Sequence, residues 1–350
     1  MKKRGMIEVH FNWIFIMIAG AIIFVFFISI VNKQRSFSEI KTSGTIISNL
    51  ESILTGAQVS TDTVNVVSMP RVDVGFECNR YFIGSVPKQT KGSIIFSPGL
   101  LQSREIITWA VDWNLPYRVD NFLYLTDPEL KYMIISDPSS PELGQELYDD
   151  LPEELNLELI KVDELDKITD TNNYKVKFIF LSTMTDSVLT EFLDMPDEDV
   201  TAINIQDLGS SASIPSTGTI EFLEKDGSTW HSEGTTTHYL KKESLFGAIF
   251  SEDQKMYDCV MRKAFRKLNL VTNIYLNRSS SLRNDYGAGS LCERPHSDAI
   301  ADLEDIRTAS ESRTGDFPTD ISDMDDLKDY AGSIKEANNL AQLRSCVLIY

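Results

Sequence analysis

Three residues in one short run could carry chemistry: His231, Glu233 and His238, beside Trp230. Imidazole and carboxylate groups make a zinc or catalytic site when they converge on one centre. The HSE-x4-H spacing differs from a helix-face pair such as HExxH. In a strand, 231 and 233 share a face and 238 takes the other. The spacing therefore favours a surface hairpin, with His231 and Glu233 as weak site candidates. A second candidate is the turn DLGSS (207–211), which opens on Asp207 after a strand, where open α/β sheets place ligand loops. It has no GxGxxG, P-loop lysine or GxSxG elbow. With four histidines in the whole chain, a base for its serines is scarce. No catalytic residue is assigned.

Two acidic runs offer oxygen ligands, Asp194–Asp199 (DMPDED) and the segment from Asp316 to Asp329. Calcium takes several carboxylates and is plentiful outside cells. Neither run has the D-x-D-x-D-G loop with its distant Glu, so weak Ca²⁺ binding is the most they suggest; solvated helix ends are the plainer reading. No other cofactor is expected. The formal net charge is −19. Phosphate backbones demand clustered Lys and Arg, which argues against a nucleic-acid partner. The basic face at Arg262, Lys263, Arg266 and Lys267 balances the protein's own acids, or meets an acidic partner or headgroups. Asn277-Arg278-Ser279 is a glycosylation sequon, useful only on an outward-facing domain.

Cys78, Cys259, Cys292 and Cys346 include no CxxC, which removes zinc-ribbon and thioredoxin patterns. An even number is compatible with two disulfides in an exported domain, with three connectivities open. Pairing Cys259 with Cys292 would staple a helical hairpin, and Cys78 with Cys346 would tie its end to the sheet. That is the pairing the spacing suggests, with four buried free thiols as the alternative. Cys346 stands fifth from the end, which is no prenylation box.

The elements that must position these groups follow an α/β rhythm. Short β-branched or aromatic segments at 63–69, 72–78, 81–86 and 92–97 predict strands. The stretch 103–113 (SREIITWAVDW) predicts a helix capped by Ser103. Trp109 and Trp113 then share one helical face, where core packing outweighs stacking on a sugar. Strands at 131–136, 156–162, 174–182 and 201–208 alternate with helices from Pro141 to about Leu151 and near 185–193. That alternation implies a mixed, largely parallel sheet with covered faces. Antiparallel strands at 218–224 and 234–240 join through Asp226-Gly227. From 244 the spacing turns helical, with Tyr257, Met261, Ala264, Phe265 and Leu268 on one face. Further helices near 296–309 and 323–344, separated by GDFPTD (315–320), close the chain as a helical hairpin.

Hydrophobic residues make up 42% of the chain, which fits a folded protein rather than a disordered one. The apolar content is concentrated at Phe11 to Val31, 21 residues without a charge. Rising ~1.5 Å per residue, a helix of that length covers about 30 Å, the hydrocarbon thickness of a bilayer. Lipid leaves a lone segment no other way to satisfy its backbone. Lys2, Lys3 and Arg4 precede the run, and Lys33, Arg35 and Lys41 follow it, a slight bias towards a cytoplasmic N-terminus. Ala19-Gly20-Ala21 has the small residues of a signal-cleavage site, but the apolar run continues beyond it, as in a retained anchor. Residues 36–57 predict an amphipathic helix, weakened at Gly44 and ended at Gly56.

KKRG, then Glu8 and a long apolar helix, resembles the class III leader of type IV pilin-like proteins. The resemblance implies a peptidase cut after Gly5, after which the helix anchors or assembles. The family's acid usually stands five residues after the cut; Glu8 stands three after it. The lead-in HFNWIFIMIAGAIIFVFF, with ITWAVDWNLPYRVDNFLYLTDP (107–128), YDCVMRKAF (257–265) and SCVLIY (345–350), also resembles an uncharacterised group of archaeal single-span proteins. That likeness implies membrane placement and no known activity.

The expected organisation is a basic tail (1–10), a transmembrane helix (11–31), a membrane-proximal helix and linker (32–62), an α/β body (63–243) and a helical region (244–350). The expected role is a single-span protein whose body faces outward and works by interaction with other proteins or as structure in the cell envelope. The alternative is a membrane-tethered enzyme or ligand-binding domain with its site at the ends of the α/β strands.

Overall fold

The computed structural model describes the backbone of residues 5–350 except 91, 169–172, 183, 186, 207, 209–212 and 312–320. The chain opens with one unbroken helix, α1 (Gly5–Val59), of 55 residues, about 80 Å at ~1.5 Å per residue. Its side chains from Phe15 to Val31 are uncharged and nearly all exposed. Further along, Ile46, Ile47, Leu50, Leu54 and Ala57 form a buried helical stripe. Packing of that stripe outweighs the ~1 kcal/mol that Gly44 costs a helix. The helix also passes Gly56, where an end was expected, and stops at Val59. Among the described residues no helix is long and apolar enough to cross a membrane. The expected crossing at 11–31 therefore rests on the sequence run. Gly5 and Glu8 fall in the first turns of α1, and the Glu8 side chain lies outside the described residues.

Three sheets follow. In chain order come β1 (Thr63–Ser68), β2 (Val74–Glu77), β3 (Arg80–Ile83), β4 (Val86–Gln89), β5 (Ile94–Phe96), β6 (Leu100–Leu101), β7 (Glu105–Asn114) and β8 (Arg118–Thr126). Next are β9 (Leu130–Ser136), α2 (Pro141–Asp150), β10 (Asn156–Lys161), β11 (Lys175–Leu181), β12 (Val200–Gln206), β13 (Thr217–Asp226), β14 (Thr229–Ser232) and β15 (Thr237–Leu240). The helices α3 (Lys241–Phe250), α4 (Gln254–Tyr286), α5 (Glu293–Ser310) and α6 (Ile321–Leu343) complete the chain. One sheet has the order β1-β7-β8-β5 and a second, smaller one β4-β3-β2-β6. The largest is β10-β9-β11-β12-β13-β14, with β15 also on β13. In it β10, β9, β11 and β12 are parallel and the remainder antiparallel. The mixed α/β reading is thus observed, as are the closing helices. The sheets are not largely parallel: among the described residues, outside β10, β9, β11 and β12 only β5 on β8 is parallel, and every other pairing is antiparallel.

The stretch 103–113 is strand β7 rather than a helix. Ile106, Ile107, Thr108, Val111 and two tryptophans fit a pleated, buried surface better than a helix. An even spacing keeps Trp109 and Trp113 on one face of a strand as well. Trp109 lies 4.9 Å from the Tyr124 ring and Trp113 stacks 5.0 Å from Phe122, both within the core. The expected helix near 185–193 is only a single 3₁₀ turn, Thr190–Phe192. Its Phe192 plugs the outer face of the large sheet, where Phe178 and Trp230 also pack. The hairpin at Asp226-Gly227 joins β13 to β14; the strand near 234–240 instead pairs with the opposite end of β13.

The helix pair α3 and α4 is wedged between the first sheet and the large one. Phe250 touches Tyr124 on one side and Tyr132 on the other; Tyr257 bridges Phe96 and Phe222. Gly247 permits this closeness, since a Cβ there would stand 2.7 Å from the Phe96 ring.

Two disulfides form, but not in the expected pairs. Cys78 joins Cys259, and Cys292 joins Cys346. The reason is the length of α4. From 259 to its end at 286 the helix rises about 40 Å, whereas bridged Cα atoms must lie within about 7 Å. Cys259 is therefore out of reach of Cys292, and each pairs with the cysteine at its own end of the helix.

Candidate functional site

The chain leaves β9 towards β10 on one side and leaves β11 towards β12 on the other, so the topological switch lies between β9 and β11. At that carboxyl edge Ser136 Oγ donates to the Ile160 carbonyl at 3.4 Å. Asp137 Oδ1 accepts from the Ser139 amide at 2.7 Å, in the turn that feeds Pro141 into α2. Ser182, just past β11, has a left-handed backbone (φ 62°). Its Oγ donates to the Ile205 carbonyl at 3.3 Å and accepts from the Leu208 amide at 3.4 Å. Gln206 Nε2 donates to Glu221 at 2.9 Å. Among the described residues, these polar groups of the rim hold the loops to the strand ends. Asp207 and residues 209–211 of the DLGSS turn lie outside the described residues; Leu208 is buried.

His231, Glu233 and His238 do not meet. His231 stands opposite Glu224 and His238 opposite Thr219 along the same edge of β13. Those positions are five residues apart, about 17 Å along a strand. His231 is exposed, whereas His238 is buried and 3.3 Å from Thr219 Oγ1. Glu233 Oε2 accepts from the Gln254 amide at 2.9 Å, beside Asp253, which caps α4 by accepting from Met256 at 2.6 Å. Both carboxylates thus serve the positive end of a helix. Burial raises the Glu233 carboxyl above its ordinary range.

The polar centre that sequence reasoning missed lies inside the wedge. Lys175 and Lys177 on β11 are buried beneath α3. Lys177 Nζ donates to the carbonyls of Ala248 (3.2 Å) and Ser251, at the negative end of α3. Lys175 pairs with Glu252, whose other oxygen accepts from the Gly99 amide at 2.7 Å. A cavity of about 10 Å³ beside them has room for one water. The signal was present in YKVKFIFLS, where two lysines alternate in an otherwise apolar strand. This is a structural clamp, closed to a substrate.

Elsewhere, Asp197 of the first acidic run pairs with Lys225 at 3.2 Å. In the second run, Asp316 and Asp320 lie outside the described residues, whereas Asp323, Asp325, Asp326 and Asp329 lie on α6. Among the described residues no group of His, Cys, Asp or Glu is gathered to hold a metal ion. The sequon falls within α4, with Asn277 exposed and Ser279 buried. A cavity of about 400 Å³ opens at the end of α2, against Tyr148, Asp149, Glu153 and Leu155, away from the carboxyl rim. An apolar groove of about 190 Å³ lies between Ile46, Leu50 and Ile53 of α1 and Val67 of β1 with Met69 and Pro70 after it. Comparison with protein-family models, curated proteins and solved structures gives no match.

Proposed function

We propose that this is a single-span, envelope-associated protein whose body works outside the membrane by interaction or as structure. The observation that carries the reading is α1 itself. One helix joins an exposed, uncharged apolar end to a stripe buried in the core. The 21-residue run at 11–31 matches a bilayer, and about 22 Å of helix separates Val31 from Ile46. The two disulfides fit an oxidising compartment. The leader resemblance adds processing after Gly5, with Glu8 near the new N-terminus.

Protease digestion of a C-terminal tag on intact cells tests the placement. Digestion without lysis is expected; protection until the membrane is opened would put the body in the cytoplasm. Carbonate-resistant sedimentation, lost when Phe24→Lys and Ile28→Lys are combined, tests the anchor. A Gly5→Leu chain that is processed normally would remove the pilin-like branch. A ligand site at the strand ends is the second reading, favoured by the left-handed Ser182 at the switch point.

A further inference from the structure

The outward face of α4 carries two exposed apolar residues one turn apart, Leu270 and Ile274, 65% and 64% exposed. Arg266 and Arg278 stand one turn to either side, opposite the buried Ala264, Leu268 and Thr272. The stripe reads Arg, Leu, Ile, Arg at steps of four, and residues 259–284 include no acid in a chain of net charge −19. Lys263 and Lys267 nearby are bound inward, to the Cys78 carbonyl and to Asp120.

Its complement lies on α5 and α6. Burial, then the charges of Asp305 and Asp298, raises the Asp302 carboxyl. Burial and the fields of Asp305, Asp326 and Asp302 push the Tyr330 phenol up. Asp298, Asp302 and Asp305 recur at steps of four and three along α5, and Asp326 and Tyr330 stand one turn apart on α6, which packs along α5. Among the described residues Arg294 meets only Asp298 of these acids, at 3.6 Å, so further cations on this face would relieve their repulsion. Arginine suits the task, since its planar fork binds carboxylates and lies flat on aromatic rings.

The directions are compatible. Asn121 reaches the Gln58 carbonyl near the end of α1, and the groove beside β1 places Ile46 near Ile106, so α1 runs alongside β7 in the same direction. On α4, Phe265 meets Trp113 and Tyr275 meets Tyr117, so α4 also follows that direction. Copies with parallel α1 helices can then bring α4 of one lengthwise against α5 and α6 of another. The two arginines are about 18 Å apart and bracket acids that span about 10 Å of α5.

We infer that copies of this chain associate side by side, with the Arg266–Leu270–Ile274–Arg278 stripe of one seated on the acidic Asp298–Asp302–Asp305–Asp326 face of the next. The contact is heterologous, so each copy offers both halves. It supplies a partner for the interaction role proposed above and rests on that reading, but not on which side of the membrane the body faces.

The test uses the full chain in detergent micelles, followed by sedimentation at about 50 mM and about 500 mM salt, because screening separates charged from apolar contacts. Wild type should associate, and more weakly at high salt. Arg266→Glu with Arg278→Glu, or Asp302→Arg with Asp305→Arg, should weaken association at least about tenfold. An equal mixture of the two double variants should regain it, because the unaltered stripe of one meets the unaltered acids of the other and the two reversed halves also attract, which also shows that both fold. A monomer at every concentration, association untouched by either charge reversal, or no recovery on mixing would overturn the inference. Carbonate extraction of the same variants reports on the anchor alone, so failure of either idea can be told from failure of the other.

Discussion

Lys177 donates from Nζ to the Ala248 carbonyl at 3.2 Å, tying the middle of the large sheet to the last turn of α3. Burial pushes this ammonium down to about 8 from its ordinary 10.5. An unfolded chain keeps the proton up to the ordinary value, so between pH 8 and 10.5 the unfolded state binds more protons and stability rises with pH. The slope is at most about 1.4 kcal/mol per pH unit for one proton. Urea midpoints should climb from about pH 8 to about pH 9.5 in wild type and climb less in Lys177→Met. Lys263, also pushed down to about 8 by burial, accounts for slope that persists. Identical slopes in the two proteins would show that Lys177 is not the group responsible.

His296 gives the acid side of the profile. It is buried and stacked on Tyr286, with ring centroids 5.8 Å apart. Burial lowers its pKa below the ordinary 6.5. As pH falls below 6.5 the unfolded chain takes the proton first; the stability present above that value is lost as pH drops through the folded pKa. His296→Phe keeps a ring against Tyr286 and removes the titration. Its Tm should fall less than that of wild type between about pH 7 and about pH 5. Parallel losses would move the effect to another group.

The disulfides can be mapped directly. Non-reducing peptide analysis should return Cys78 linked to Cys259 and Cys292 linked to Cys346. Cys292→Ser combined with Cys346→Ser opens a bridge that spans 54 residues, and should cost about 2–4 kcal/mol. A peptide joining Cys259 to Cys292 would contradict the placement of the two cysteines at opposite ends of α4.

Two glycines make a contrasting pair. At Gly247 an added methyl would meet the Phe96 ring at 2.7 Å, whereas at Gly44 it would meet nothing within 4 Å. Gly247→Ala should destabilise by about 1–3 kcal/mol. Gly44→Ala should cost nothing and add helix stability of up to about 1 kcal/mol. Chemical denaturation with circular dichroism separates them; equal effects would mean that the wedge between the sheets is looser than described.

The parallel strands were legible because KYMIIS, NLELIKV and YKVKFIFLS are short apolar runs, the first two set apart by the helix signal at Ser140-Pro141. The C-terminal helices were legible because Tyr257, Met261, Phe265 and Leu268 keep helical spacing over a long stretch. Trp109 and Trp113 misled, because a spacing of four satisfies a helix face and a strand face alike. Only the β-branched content around them pointed to the strand. Cysteine pairing was illegible until the length of α4 was known. His231 and His238 sat close in sequence, yet the turn between their strands placed them at different points along β13. For Asp207 the structure offers no placement with which to compare the reading.

The unbroken course of α1 has a mechanical consequence. A helix whose far end is locked into a sheet cannot swivel as a tether does; a tilt at Phe15 becomes a rotation of the whole body. Gly44 then matters as the glycine that falls between Val31 and Ile46 on the shaft. It lies just before the buried stripe begins at Ile46, and a side chain added there would meet nothing within 4 Å. Substitution there would tune how faithfully the body follows its stem while leaving every contact of the core in place.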